Sequence, residues 1–194
     1  RRQRQMCIRD SEYMLQATED LPVDVRFMLP SCVPATPLDE SGANLDYRAI
    51  DSFYDHPRVQ GLAEMMNFVG TINGDPQVVE KIVASQAHHK KIDGHAPGLS
   101  GNDLNAYIAA GVYSDHECSD IDDALAKLKR GQFIMIREGT AARNLEALAP
   151  LLCGKYIERC MFCTDDKHPN DLLEKGHIDY TVSYTHLRAH ETAA

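Results

Sequence analysis

Two histidines in this chain stand where short apolar runs stop. Lys91-Ile92-Asp93-Gly94 runs into His95, and Tyr113-Ser114-Asp115 runs into His116; each hands over through glycine or polar residues to an amphipathic helical stretch. Two imidazoles delivered one per strand-helix unit can converge on one metal or one substrate. Applied to the other strand-like runs, the same bookkeeping yields Pro34 with Thr36, Glu64, Arg137 with Glu138, and Asp165 with Asp166. Carboxylate and imidazole donors suit a divalent transition metal, which lowers the pKa of bound water and so supplies hydroxide near neutral pH. Each residue also has an ordinary reading. A lone histidine after a strand is more often a turn or hydrogen-bonded residue, and a lone carboxylate there is usually a helix cap, as Asp166 would be for a helix starting near Pro169. Four such residues at equivalent strand ends, Glu64, His95, His116 and Asp165, favour a site.

The elements that must position these residues alternate along the chain. Strands are expected over 23–30, 59–66, 91–95, 113–116, 133–136 and 159–163, from apolar and β-branched content. Helices are expected over 45–54, from Asp75-Pro76 onward with Val78, Val79, Ile82 and Val83 as the inner face, over 103–110 closed by Gly111, after a capping box of Ser119 and Asp122, over 142–152, and over 170–174. Six strand-helix repeats imply a parallel sheet with helices outside it. An open doubly wound sheet would ordinarily carry Gly-x-Gly-x-x-Gly after its first strand; Gly94, Gly98 and Gly101 are spaced otherwise, and no P-loop occurs. The fold expected is therefore α/β, a partial (β/α)8 barrel in which six units are present and active residues gather at the strand C-termini.

Bulk properties narrow the function further. At 194 residues the chain is shorter than the roughly 250 typical of a complete barrel. A formal charge of −9 supplies no basic face for nucleic acid, and no apolar run has the length of a membrane span, so a cytoplasmic location is the default. Six scattered cysteines fit a reducing compartment. Cys160 and Cys163 sit in a strand-like run where an odd spacing sends them to opposite faces, so buried thiols are expected rather than a zinc or redox pair. Met28, Met65 and Met66 read as core. His56, His88, His89, His168 and His177 read as surface residues. Residues 1–11 and 183–194 show no period and resemble translated adapter sequence; they are expected to be foreign flanks around a catalytic segment at 12–182, and His186 and His190 are set aside with them.

Several of these motifs are longer than metal binding alone requires. Pro30-Ser31-Cys32-Val33-Pro34-Ala35-Thr36-Pro37, Gly61-Leu62-Ala63-Glu64-Met65-Met66-Asn67, Asp93-Gly94-His95-Ala96-Pro97-Gly98, Ser114-Asp115-His116-Glu117, Ile136-Arg137-Glu138-Gly139 and Thr164-Asp165-Asp166 resemble, in order, the strand-end motifs of the bacterial adenine deaminase family, within the metal-dependent amidohydrolase superfamily. The resemblance implies a (β/α)8 barrel of which this chain holds the third to eighth strands. It implies a two-metal centre, manganese or iron rather than zinc, with Glu64 bridging the metals, His95 and His116 ligating one of them, and Asp165 acting as ligand and proton carrier. Glu117, Arg137 and Glu138 would grip the purine edge. The implied reaction is hydrolysis of adenine to hypoxanthine and ammonia in purine salvage, by a homo-oligomeric full-length enzyme without nucleic-acid or membrane partners. Ala63 stands where glycine is expected. No His-x-His occurs in the chain, so the superfamily's first-strand pair has no counterpart, and the first two strands and the small β-domain are missing; the fragment is expected to be inactive alone. Two alternatives stay open, a related enzyme acting on another nucleobase or cyclic amide and a non-catalytic barrel fragment. The zinc deaminases of nucleic acids are excluded, since their His-x-Glu and Pro-Cys-x-x-Cys motifs are lacking.

Overall fold

The computed structural model describes residues 2–35, 38–40 and 43–191, the side chains of residues 2–9 and 187–191 excepted. Thr36 lies outside the described residues. The chain divides into two compact units, Arg1–Ala96 with Asn105–Tyr113, and Pro97–Leu104 with Ser114–Ala194. Among the described residues no helix is long and apolar enough to cross a membrane.

The first unit runs α1 (Arg2–Ala17), β1 (Phe27–Leu29), α2 (Tyr47–Asp51), β2 (Val59–Met65), α3 (Phe68–Asn73), α4 (Pro76–Ala87) and β3 (Lys91–Gly94), and takes the later part of α5 (Gly101–Ala109). Its sheet has the order β1-β2-β3, all parallel, with Leu29 opposite Leu62 and Leu62 opposite Ile92. Gly61 permits the close approach of β2 to β3, because a Cβ there would be driven into the Lys91 carbonyl oxygen. Helix α4 begins as its sequence dictates: Asp75 Oδ1 accepts from Gln77 N at 2.9 Å and Pro76 takes the first turn. Its buried residues, however, are Val78, Lys81, Ile82, Ala84 and Ser85, while Val79 and Val83 are 38% and 54% exposed. A lysine displaces the two valines because its stem packs inward and its Nζ reaches Ser31 O at 2.7 Å. Met65 is buried as expected, but Met28 is 36% exposed.

The second unit runs β4 (Ser114–Asp115), α6 (Ile121–Leu128), β5 (Phe133–Arg137), α7 (Leu145–Leu148), β6 (Cys160–Cys163), α8 (Pro169–Lys175) and α9 (Ile178–Glu191). Its strands pair in parallel in the order β4-β5-β6. Ala124 and Leu128 of α6, Ile134 and Ile136 of β5, and Leu145, Leu148 and Leu151 form one core against which Cys160, Phe162 and Tyr184 pack. The cap of α6 is Asp120, accepting from Asp123 N at 2.9 Å, in place of the Ser119 box. The helix expected over 142–152 is only α7 followed by a 3-10 stretch, Ala149–Cys153, where Pro150 lacks the N–H that a longer α-helix needs. His168, not Asp166, stands at the start of α8.

Three helices depart from the sequence reading. Helix α3 was not anticipated; Asn67 caps it by accepting from Gly70 N at 2.8 Å, and Gly74 closes it at φ 72°. The described parts of the two flanks, 2–11 and 183–191, expected to be unpatterned, are helical in α1 and α9. Neither segment contains glycine or proline, so intrinsic helix propensity operates there without an apolar period.

Candidate functional site

In the first unit, β2 and β3 deliver Glu64 and His95 side by side. His95 Nδ1 lies 3.0 Å from Glu64 Oε2, with both side chains partly exposed. Three buried groups fix this pair. Tyr107, fully buried on α5, donates its hydroxyl to Met65 O at 2.8 Å and accepts from His95 N at 3.0 Å, so one phenol ties the ends of both strands. The Ser31 hydroxyl donates to the Glu64 carbonyl, and Lys81 Nζ donates to the Ser31 carbonyl. Burial lowers the Lys81 pKa below its ordinary value, against the raising effect of Cys32, Asp46 and Asp75.

In the second unit, β4, β5 and β6 deliver His116, Glu117, Arg137 and Asp165. His116 is 7% exposed, with Nε2 3.5 Å from Glu117 Oε1. Nη1 of Arg137 donates to both Glu117 Oε1 and Asp165 Oδ2. Burial weighs against the charge of Arg137, but Glu117 and Asp165 more than offset it, so its pKa is raised. Ligand atoms of His116, Glu117 and Asp165 all lie within 4.8 Å of one another. One imidazole and two carboxylates at that spacing are a donor set for one divalent cation, and the guanidinium held between the carboxylates marks their attraction for positive charge.

Asn144 anchors this group from below. Its Oδ1 accepts from Arg137 N at 2.6 Å, and its Nδ2 donates to Cys118 O at 2.9 Å and His116 O at 3.4 Å. Sequence reasoning overlooked Tyr107, Asn144 and Lys81, whose only signals were an aromatic residue inside an amphipathic helix, a polar residue ahead of an apolar run, and a lysine in a valine-rich helix. Glu138 is not brought into the cluster: its carboxylate lies 3.8 Å from Arg143 Nε and lines a cavity of about 530 Å³ with Tyr180 and Tyr184. His88, expected at the surface, stacks on Tyr54 at 5.0 Å between centroids and sits 3.1 Å from Asp51. Cys160 and Cys163 are both thiols and partly buried, and burial pushes the Cys160 thiol pKa up.

The model of the Amidohydrolase family matches residues 4–181. The chain belongs to the amidohydrolase family. Among curated proteins, this amidohydrolase chain is 54% identical over 171 residues to adenine deaminase of Desulfatibacillum aliphaticivorans, an overlap of 88% of this chain and 30% of that protein. It is 51% identical over 174 residues to adenine deaminase of Kosmotoga olearia, covering 89% and 30%, and 46% identical over 171 residues to adenine deaminase of Clostridium acetobutylicum, covering 88% and 30%. The chain thus spans about 30% of the length of these curated relatives. Amidohydrolase membership implies a divalent metal, for which the described residues offer carboxylate and imidazole donors in suitable groups.

Proposed function

We propose that this chain is part of a cytoplasmic, metal-dependent adenine deaminase of purine salvage, which converts adenine and water to hypoxanthine and ammonia. The observation that carries this reading is the 46–54% identity to adenine deaminases over most of the chain. Residues 12–182 would supply the third to eighth strands of a (β/α)8 barrel, with 1–11 and 183–194 as flanks. The sequential parallel order of each sheet, and the parallel bridge of Val112 to Ile92 of β3, suit the barrel. The family match runs from 4 to 181.

Glu64, His95, His116 and Asp165 would hold the metals, manganese or iron in preference to zinc, and Glu117 joins the donors of the second unit. When bound, such a metal would activate water for attack. The remaining chemistry falls to side chains. Attack of hydroxide at C6 breaks the aromaticity of the ring, and the amine departs readily only once protonated. The carboxylate of Asp165 would accept one proton from the attacking water and pass it to the ring nitrogen, then carry the second, from the new C6 hydroxyl, to the amine, which leaves as ammonia as the C6 carbonyl forms. Arg137, paired with Asp165 and Glu117, would hold these carboxylates in place and draw the Asp165 charge toward one oxygen. Glu117, Arg137 and Glu138 would contact the purine edge, although Glu138 must first leave Arg143. Adenine is the small-molecule partner, and the full-length enzyme would be a homo-oligomer.

The test is ammonia release by the complete enzyme across adenine, other purines and cyclic amides. Adenine should be the preferred substrate, and Asp165→Asn should abolish its turnover while leaving the circular dichroism spectrum unchanged. Preference for a cyclic amide, or near-normal turnover by Asp165→Asn, would refute the assignment.

A further inference from the structure

We propose that Gly139 and Thr140, on the loop leaving β5, are positioning residues that hold Asp165 in its working conformation. The inference rests on the reading of Asp165 as proton carrier.

Asp165 follows β6 with φ 52°; among the described residues, His89 is the other non-glycine residue with positive φ. An L-residue stays in this left-handed region when its surroundings fix it there, and such backbone strain collects at functional positions. Asp165 is fixed from both sides by three consecutive residues of one loop. Ahead of it, Glu138 N donates to Cys163 O at 3.0 Å. Behind it, Thr140 N donates to Asp166 O at 2.9 Å. The Thr140 hydroxyl works in both directions: it accepts from His168 N at 2.8 Å and donates to Asp171 Oδ2 at 2.5 Å, tying the Asp165 turn to the first turn of α8.

Gly139 lies between these anchors. A Cβ at this position would fall 2.7 Å from Thr164 O, 3.1 Å from Asp166 O and 3.0 Å from Ala142 O. All three atoms are backbone, so none can swing aside, and any side chain at 139 would push away the turn carrying Asp165. The absent side chain allows the approach, and the threonine hydroxyl fastens it. Neither residue reaches the Asp165 carboxylate, whose partner is Arg137. They act on its backbone.

The experiment uses the complete enzyme with adenine as substrate. Thr140→Val keeps the shape but has no hydroxyl, and should lower kcat roughly ten- to hundredfold, the usual effect of losing a group that orients a working ligand, with KM and metal content unchanged. Thr140→Ser should restore kcat, Gly139→Ala should lower it, and the solvent deuterium isotope effect on kcat should rise in the slow variants as proton transfer becomes limiting. Thr140→Val with unaltered kcat, or Thr140→Val and Thr140→Ser equally slow, would overturn the proposal. Should Thr140→Val not fold, Gly139→Ala decides, an unchanged kcat again counting against it. Asp165→Asn, run in parallel, separates the two ideas: if it retains turnover, the role of Asp165 fails; if it is inactive while the loop variants are normal, the positioning role alone fails.

Discussion

Lys127 is a fully buried charge directly beneath the strand end that carries His116. Its Nζ lies 3.1 Å from Asp115 Oδ2 and 3.1 Å from Asp123 Oδ1, Asp115 is likewise fully buried, and Asp115 Oδ1 accepts from Glu117 N at 2.6 Å. The ion pair therefore ends on the backbone of the residue next to His116. Burial alone would favour neutral lysine, but Asp115, Cys118 and Asp123 outweigh it and raise the Lys127 pKa above 10.5. A raised folded-state pKa means that the stabilisation is complete below the unfolded value and is lost as pH climbs through the folded one, so this pair weakens only in strong alkali. Cys118, in the same cluster, has its pKa raised chiefly by burial and is an inert thiol. Removing the ammonium leaves a buried carboxylate without that counter-charge, a loss of about 3–5 kcal/mol in comparable pairs. Lys127→Met should lower the urea-denaturation free energy by that order, and adding Asp115→Asn should recover part of it.

At the scale of elements, strand termini are held by groups that arrive from helices far along the chain. Tyr107 is the clearest instance, one hydroxyl on α5 joining the ends of β2 and β3 just where Glu64 and His95 emerge. Tyr107→Phe keeps the ring but leaves the Met65 carbonyl and His95 amide without this link, at about 1–3 kcal/mol. Denaturant titration should register that loss, and amide hydrogen exchange should rise at His95 more than within α5; unchanged protection at His95 would sink the role assigned to the hydroxyl. Helix starts follow the sequence more closely than helix faces do. Asp75 and Asp120 cap α4 and α6 through local side-chain bonds that need no tertiary partner. The buried side of α4 instead depends on the Ser31 carbonyl waiting for Lys81, which no local pattern encodes.

For the whole molecule, chelation is the direct test of the donor groups: treatment of the complete enzyme with a chelator should abolish ammonia release from adenine, and manganese or iron should restore more activity than zinc. Equal restoration by zinc would overturn the metal preference. The strand ends were legible from sequence because apolar and β-branched runs, glycines and the polar residues after them are local signals, and because a parallel strand-helix alternation places function at strand C-termini. Glu64 beside His95, and His116 with Asp165, follow from that rule. Other features depended on atoms distant in sequence. The turning of Glu138 onto Arg143, the placing of Arg137 between Glu117 and Asp165, and the Asn144 and Tyr107 ties are choices among contacts that only the folded chain offers. The sequence by itself determined which residues reach the strand ends, since the apolar run that stops at each of them is a local signal. Tertiary structure decided which of them meet and how they are held, since a buried polar group is committed only once folding presents its partner.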